Sequence, residues 1–254
     1  MLARSSLNGL RHITWLDRKT VEGWGFDQPW LIKPMMTHDQ SEFIGNPYMS
    51  SIFLSASVPN FESPYYKRCD PVLIQAALRS FLFTVIGRKH LVFGGHPSIS
   101  PLILAVCEDL GITNQNAVTI FQSKHFSGVI PEENRKFANF IETPVGKDLG
   151  QSLSIMRKQM FTTYDYDAAV FIGGKEGIVT EYALFKRLCP DAKILALKSP
   201  GGAAAEIQNM PANEDDELLD YVHAFSSGLG LHHKLDRHPT APKRRDRQGP
   251  LLGI

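Results

Sequence analysis

The sequence predicts an α/β protein: a Rossmann-like three-layer sandwich on a mainly parallel sheet, preceded by an irregular N-terminal extension. Three observations lead there. Several short runs of strand formers, such as Leu91-Val92-Phe93 and Ala168-Ala169-Val170-Phe171-Ile172, are apolar throughout, as strands covered on both faces are. Segments with helical spacing separate them. Glycine or serine turns close the strands, giving the alternation of a parallel sheet with helices on both sides.

Residues 1–48 hold Trp15, Trp24 and Trp30 among prolines and glycines with no clean period, so an extension packed on the main domain is expected. Ile52-Phe53-Leu54 opens the interpretable pattern as a strand closed by Ser55-Ala56-Ser57. Asp70 is a natural N-cap with Pro71 at the first helical position. Leu73, Ile74, Ala77, Leu78, Phe81, Leu82 and Val85 then recur at helical spacing, and Gly87 ends the helix. Leu91-Val92-Phe93 is the next strand. Gly94-Gly95-His96-Pro97 turns it into a helix with Ser100 as the expected N-cap, running to Gly111.

Ala117 to Phe121 is a third strand. The stretch 122–147 offers a short helix near Glu132 and a strand at Asn139 to Glu142. A helix from Asp148 to about Tyr164 precedes the strand Ala168 to Ile172. Gly173-Gly174-Lys175-Glu176-Gly177 leads into a helix reaching about Arg187. Lys193 to Lys198 is the last strand, and one helix is expected over Asp215 to Ser226. The domain boundaries expected are therefore 1–48, 49–227 and 228–254. The last piece is Pro- and Arg-rich and too poor in apolar residues to order itself.

Right-handed crossovers place the C-terminal end of every parallel strand on one edge of the sheet. The turns at Ser55, Gly94, Gln122, Gly173 and Ser199 then share that edge, where open α/β sheets bind ligands.

Composition narrows the function classes. A net charge of +1 gives no broad electrostatic case for nucleic acid or an acidic membrane surface. No apolar run approaches the roughly 20 residues of a bilayer span, and the first residues lack the apolar core of a secretory signal. The three cysteines are scattered, with no C-x-x-C pair, so a reducing cytoplasm is the simplest compartment. The nine histidines form no H-E-x-x-H arrangement; no metal and no cofactor are expected.

The chemistry-bearing residues lie on the shared edge. Glycines at Gly173, Gly174 and Gly177 let the backbone turn sharply and let a ligand approach closely. The first amides of the following helix favour an anion there. Gly94 and Gly95, before a helix opened by Ser98 and Ser100, repeat the arrangement. A nucleotide-type phosphate ligand is the expectation, with Ser55, Ser57 and Ile178 as further contacts. Either turn taken alone could use its glycines for geometry only. Glu181 taken alone could be an acid favoured by the helix dipole. Arg157 falls on the border of the apolar stripe of Leu149, Leu153, Met156 and Met160, where its stem can be buried and its head held over the edge.

Arg157, then Gly173 sixteen residues on, then G-G-x-x-G-x-x-x-E ending at Glu181, resembles the signature of the Lonely Guy (LOG) family and its wider SLOG superfamily. The family pattern is an Arg-Lys pair on a helix, a strand, then P-G-G-x-G-T-x-x-E; here Arg157-Lys158 resembles that pair. Phe93-Gly94-Gly95 is similar to the earlier glycine motif, and Ile52 to Ser57 to the opening strand. The likeness spans roughly residues 50–205. Phe171-Ile172 stands before the glycines instead of a hydrophobic-Pro pair, one residue is added before Gly177, and Ile178 replaces Thr. These departures resemble a divergent bacterial branch, of the kind associated with TIR or sirtuin-like antiphage effectors.

The resemblance implies one of two functions. In a LOG-like phosphoribohydrolase, an N-glycosidase acting on nucleoside 5′-monophosphates, Glu181 and Arg157 would be catalytic. Glu181 would stabilise a ribosyl cation and activate water, and Arg157 would orient substrate and carboxylate. In a non-catalytic sensor of a cyclic ADP-ribose-like signal, the same residues would be ligand contacts, and the effector would be encoded separately. Fold does not choose between them. The resemblance also implies a homodimer paired through helices beside the site. The apolar segments 81–83 and 156–161 are in keeping with such an interface.

Overall fold

The computed structural model describes residues 50–112, 117–128, 130, 132–207, 214–232 and 234–237. The expected extension at 1–48 and the tail from 238 onward lie outside the described residues.

Six strands form one sheet: β1 (Ser51–Ser57), β2 (His90–Phe93), β3 (Val118–Ser123), β4 (Phe140–Thr143), β5 (Tyr166–Gly173) and β6 (Lys193–Ala196). Every pairing is parallel, in the order β4-β3-β2-β1-β5-β6. The chain lays down β1 to β4 outward in one direction, then returns to place β5 on the other side of β1. The order therefore reverses between β1 and β5, the kind of switch point where a crevice opens beyond the strand ends.

The helices are α1 (Pro71–Val85), α2 (Ser100–Asp109), α3 (Glu132–Arg135), α4 (Leu149–Thr163), α5 (Glu176–Leu188), α6 (Glu214–Glu217) and α7 (Tyr221–Leu229). They cover both faces, because strand side chains alternate. Ile52, Leu54, Val170 and Ile172 join the core under α1, α2 and α7. Phe53, Ala169 and Phe171 join the core under α4 and α5. The result is three layers.

Local signals account for several boundaries. Asp70 caps α1 by accepting from the amides of Val72 and Leu73, an arrangement worth about 1 kcal/mol. Asp148 caps α4 through the Gln151 amide at 2.7 Å.

Four expectations are corrected. Ser100 is not the N-cap of α2; Ile99 holds that position, and the Ser100 hydroxyl donates to the His96 carbonyl. The helix expected over 215–226 is broken into α6 and α7, with Leu219 at φ 61°. Asp216 turns away to accept from the amide of Lys198 and the hydroxyl of Ser199. Asp220 then starts a new helix by capping the His223 amide.

The third correction is the boundary at 227. Helix α7 crosses it, Leu231 is buried, and Arg237 donates to the carbonyls of Phe83 and Ile86 at the end of α1. The fourth concerns the apolar segments offered as an interface. Phe81, Leu82, Met156, Met160 and Phe161 are buried in the protein's own core, which leaves the homodimer resting on the resemblance alone. No helix among the described residues is long and apolar enough to cross a membrane.

Candidate functional site

A cleft of about 710 Å³ lies at the C-terminal edge of the sheet, within the range of small-molecule sites. Its wall is drawn from the ends of β1, β2 and β3 and from α4 and α5. Of the residues expected from sequence, it gathers Ser55, Ser57, Gly94, Gly95, Arg157, Gly177, Ile178 and Glu181.

Glu181 is the best-held side chain there. It sits in the second turn of α5, not at the helix start, so the helix dipole does not account for it. Ser55 donates its hydroxyl to Oε2 at 2.5 Å, and Arg157 donates through Nε to Oε1 at 3.1 Å. Strand parity explains the first contact: Ser55 follows Phe53 on the face covered by α5. The Arg157 and Glu181 side chains are only 13 % and 17 % exposed. An ion pair this sheltered is less screened than a surface pair.

Gly177 makes the close approach possible, since a Cβ there would stand 3.3 Å from Arg157 Nη2. Gly173 and Gly174 play another part. Both have positive φ, and added Cβ atoms would meet Ile74 at 2.6 Å and Ile178 at 2.0 Å. The Gly174 amide donates to the Ser57 carbonyl, and its own carbonyl accepts from Ala203. These two glycines shape the turn from beneath and are not part of the cleft wall.

Ser98 and Ser100 are not part of the wall either. Ser98 donates from its backbone amide and shares its hydroxyl with His96 Nδ1, and fully buried Ser100 faces the His96 carbonyl. A backbone amide can only donate, so Nδ1 is the acceptor and the proton of the neutral ring sits on Nε2. Burial first, and then the charge of Lys175, push the His96 pKa down. His96 thus offers the cleft a neutral ring with an N–H donor.

Sequence reasoning missed His96, Gln122, Lys175 and Glu176 as wall residues, although all four stand in or beside turns at the shared edge. Lys175 is the N-cap of α5 and gives no side-chain acceptor to the helix. The Ile178 amide donates to the Lys175 carbonyl, while Glu176 and Gly177, which line the cleft, open the helix without a side-chain cap. The other walls are apolar, with Phe126, Ile130 and Leu153 among them. Among the described residues, no three His, Cys, Asp or Glu side chains gather as metal ligands.

The SLOG cluster3 family model matches residues 64–229, well over half of the chain. The chain belongs to the SLOG cluster3 family. No curated protein matches it. The match takes in the β2 turn, Arg157 and the whole of α5, while β1 with Ser55 and Ser57 precedes it. SLOG membership points to a ligand-binding function related to nucleotides.

Proposed function

We propose that the cleft binds a nucleoside 5′-monophosphate and hydrolyses its N-glycosidic bond. The observation that supports this best is the presence in one cleft of a doubly held carboxylate, Glu181, and a separate basic anchor, Lys175 at the start of α5. The phosphate would sit against Lys175 and the first amides of α5, where the helix dipole favours an anion. The ribose would then lie over Glu181.

In cleavage, the C1′–N bond breaks with its electron pair leaving on the base, and positive charge builds on the ribose. Glu181 stabilises that charge. Water adds its oxygen to C1′ and gives up a proton to Glu181, which passes it to the departing base, so the products are ribose 5-phosphate and the free base. Ser55 and Arg157 keep the carboxylate in place throughout, sparing the reorganisation that a free side chain would need.

A second reading is a sensor that holds a nucleotide-derived signal, such as a cyclic ADP-ribose-like molecule, without turnover. It would act through a separately encoded antiphage effector. One observation favours it: both Glu181 oxygens already accept hydrogen bonds, which suits a fixed contact. Incubating the full chain with a panel of nucleoside monophosphates and following free base by chromatography decides between them. Base release supports the hydrolase. Tight binding of a cyclic ADP-ribose-like ligand with no base released from any monophosphate overturns it.

A further inference from the structure

Gln122 stands near the end of β3, 7 % exposed, and lines the cleft. One end of its amide is committed. Asn134 on α3, fully buried, donates through Nδ2 to the Gly95 carbonyl at 2.9 Å and to Gln122 Oε1 at 3.3 Å. The Gly95 carbonyl can only accept, which fixes the nitrogen end of the Asn134 amide. That nitrogen can only donate, so the Gln122 atom facing it is the oxygen. A backbone carbonyl thus sets the orientation of Gln122 through one intermediary.

The space around this relay is tight. A Cβ on Gly95 would come within 2.6 Å of Gln122 Oε1 and 3.0 Å of Asn134 Nδ2. At the other end of the amide, Gln122 Nε2 has no partner among the described residues. The side chain is otherwise buried and lines the cleft, so this open donor is a place for a ligand acceptor.

The position suits the far end of a nucleotide. Residues following β2 and β3, namely Pro97, Ile99, Phe126 and Ile130, supply apolar wall, while Lys175 and Glu181 come from the turn after β5 and from α5. Two strand spacings separate β3 from β1, about 10 Å. A purine and one hydrogen bond cover that distance from a ribose held over Glu181.

We propose that Gln122, oriented by Asn134, reads the base and selects a 6-oxopurine, guanine or hypoxanthine, over adenine. This rests on the nucleotide reading of the cleft. A 6-oxopurine presents two acceptors on its N7/O6 edge, whereas adenine presents an acceptor beside an amino donor. A glutamine with both ends free takes adenine through both atoms. Gln122 offers N–H alone.

The test is calorimetric titration of the full chain with GMP, IMP and AMP. GMP and IMP should bind about tenfold or more tighter than AMP. Gln122→Glu keeps an acceptor for Asn134 and replaces the donor, so it should erase or reverse the preference; Gln122→Met, which removes the donor without adding charge, should erase it. Equal wild-type affinities, or an unchanged ratio in whichever variant keeps the wild-type melting profile, overturns the proposal. Failure to bind any of the three overturns it together with the nucleotide reading. Selective binding without base release upholds the selection and removes only the hydrolase reading.

Discussion

Phe161 and Phe185 meet edge to face, with ring centroids 5.3 Å apart, one helical turn beyond Arg157 and Glu181 respectively. Phe53 on β1 floors the pair, 4.7 Å from Phe161 and 5.6 Å from Phe185. Aromatic contacts of this kind add about 0.5–1.5 kcal/mol each beyond the area they bury. They fix α4 against α5, and the Arg157–Glu181 pair inherits its spacing from them. The frame is apolar, so a charge can be removed above it without moving the helices.

Glu181→Gln uses that separation. The glutamine oxygen can still accept from Arg157, and its nitrogen can donate to Ser55 Oγ, which accepts as readily as it donates. The shape survives and the charge goes. Base release should fall by about two to four orders of magnitude, with ground-state nucleotide affinity changing far less. Ser55→Ala should give a smaller loss in turnover, because it frees one carboxylate oxygen without removing the charge. Single-turnover rates and calorimetric affinities check both. A change in affinity equal to the change in rate would argue for uniform binding and against transition-state stabilisation.

The glycines of the β5 turn should divide by substitution. Gly174→Ala places a methyl at positive φ against Ile178, so it should cost stability, on the order of 1–3 kcal/mol for a strained backbone position. Gly177 lies within α5 and has no such φ. Gly177→Ala should hold or raise the melting temperature, since Gly is worse than Ala in a helix by about 0.5–1 kcal/mol. Its methyl crowds Arg157 Nη2 and should weaken nucleotide binding. Thermal melts and titrations of the two variants measure the contrast; a stable Gly174→Ala or a destabilised Gly177→Ala would contradict it.

The parts of this molecule legible in sequence are those written in local patterns. Asp70-Pro71 announces α1, apolar runs announce the buried strands, and the spacing from Arg157 to Glu181 marks two residues that do meet. What escaped depends on contacts between distant segments. Gln122 is set by Asn134 and Gly95, and the three residues come from three different segments of the chain. Ser98 and Ser100 are diverted by His96, whose carbonyl and ring take their hydroxyls. The break between α6 and α7 follows from Asp216 reaching back to the loop after β6. Apolar content shows that Phe81 and Phe161 are buried, but not whether a second chain or this chain buries them.

His90, which starts β2 at the sheet edge opposite the cleft, makes the fold sensitive to pH. It is 2 % exposed and sits between the hydroxyls of Ser51 and Thr119, each 2.9 Å from a ring nitrogen. The Tyr164 ring packs against it at 4.8 Å. Burial lowers its pKa from 6.5 to about 3, because the charged ring would lose its hydration with no carboxylate in return. Between those values the unfolded chain binds a proton that the folded one refuses. Stability from this group is therefore complete above pH 6.5 and is lost as pH falls from 6.5 toward 3, with no further loss below. The slope should be about 1 kcal/mol per pH unit between pH 6 and 5, approaching the limit for one proton. His90→Gln keeps a donor and an acceptor for the two hydroxyls and removes the titration. Urea unfolding of both proteins at pH 7, 6 and 5 isolates the effect, since every other group titrates in both. The stability gap should shift in favour of the variant by that amount per unit. Parallel pH profiles would show that His90 takes up a proton in the folded protein as freely as in the unfolded one.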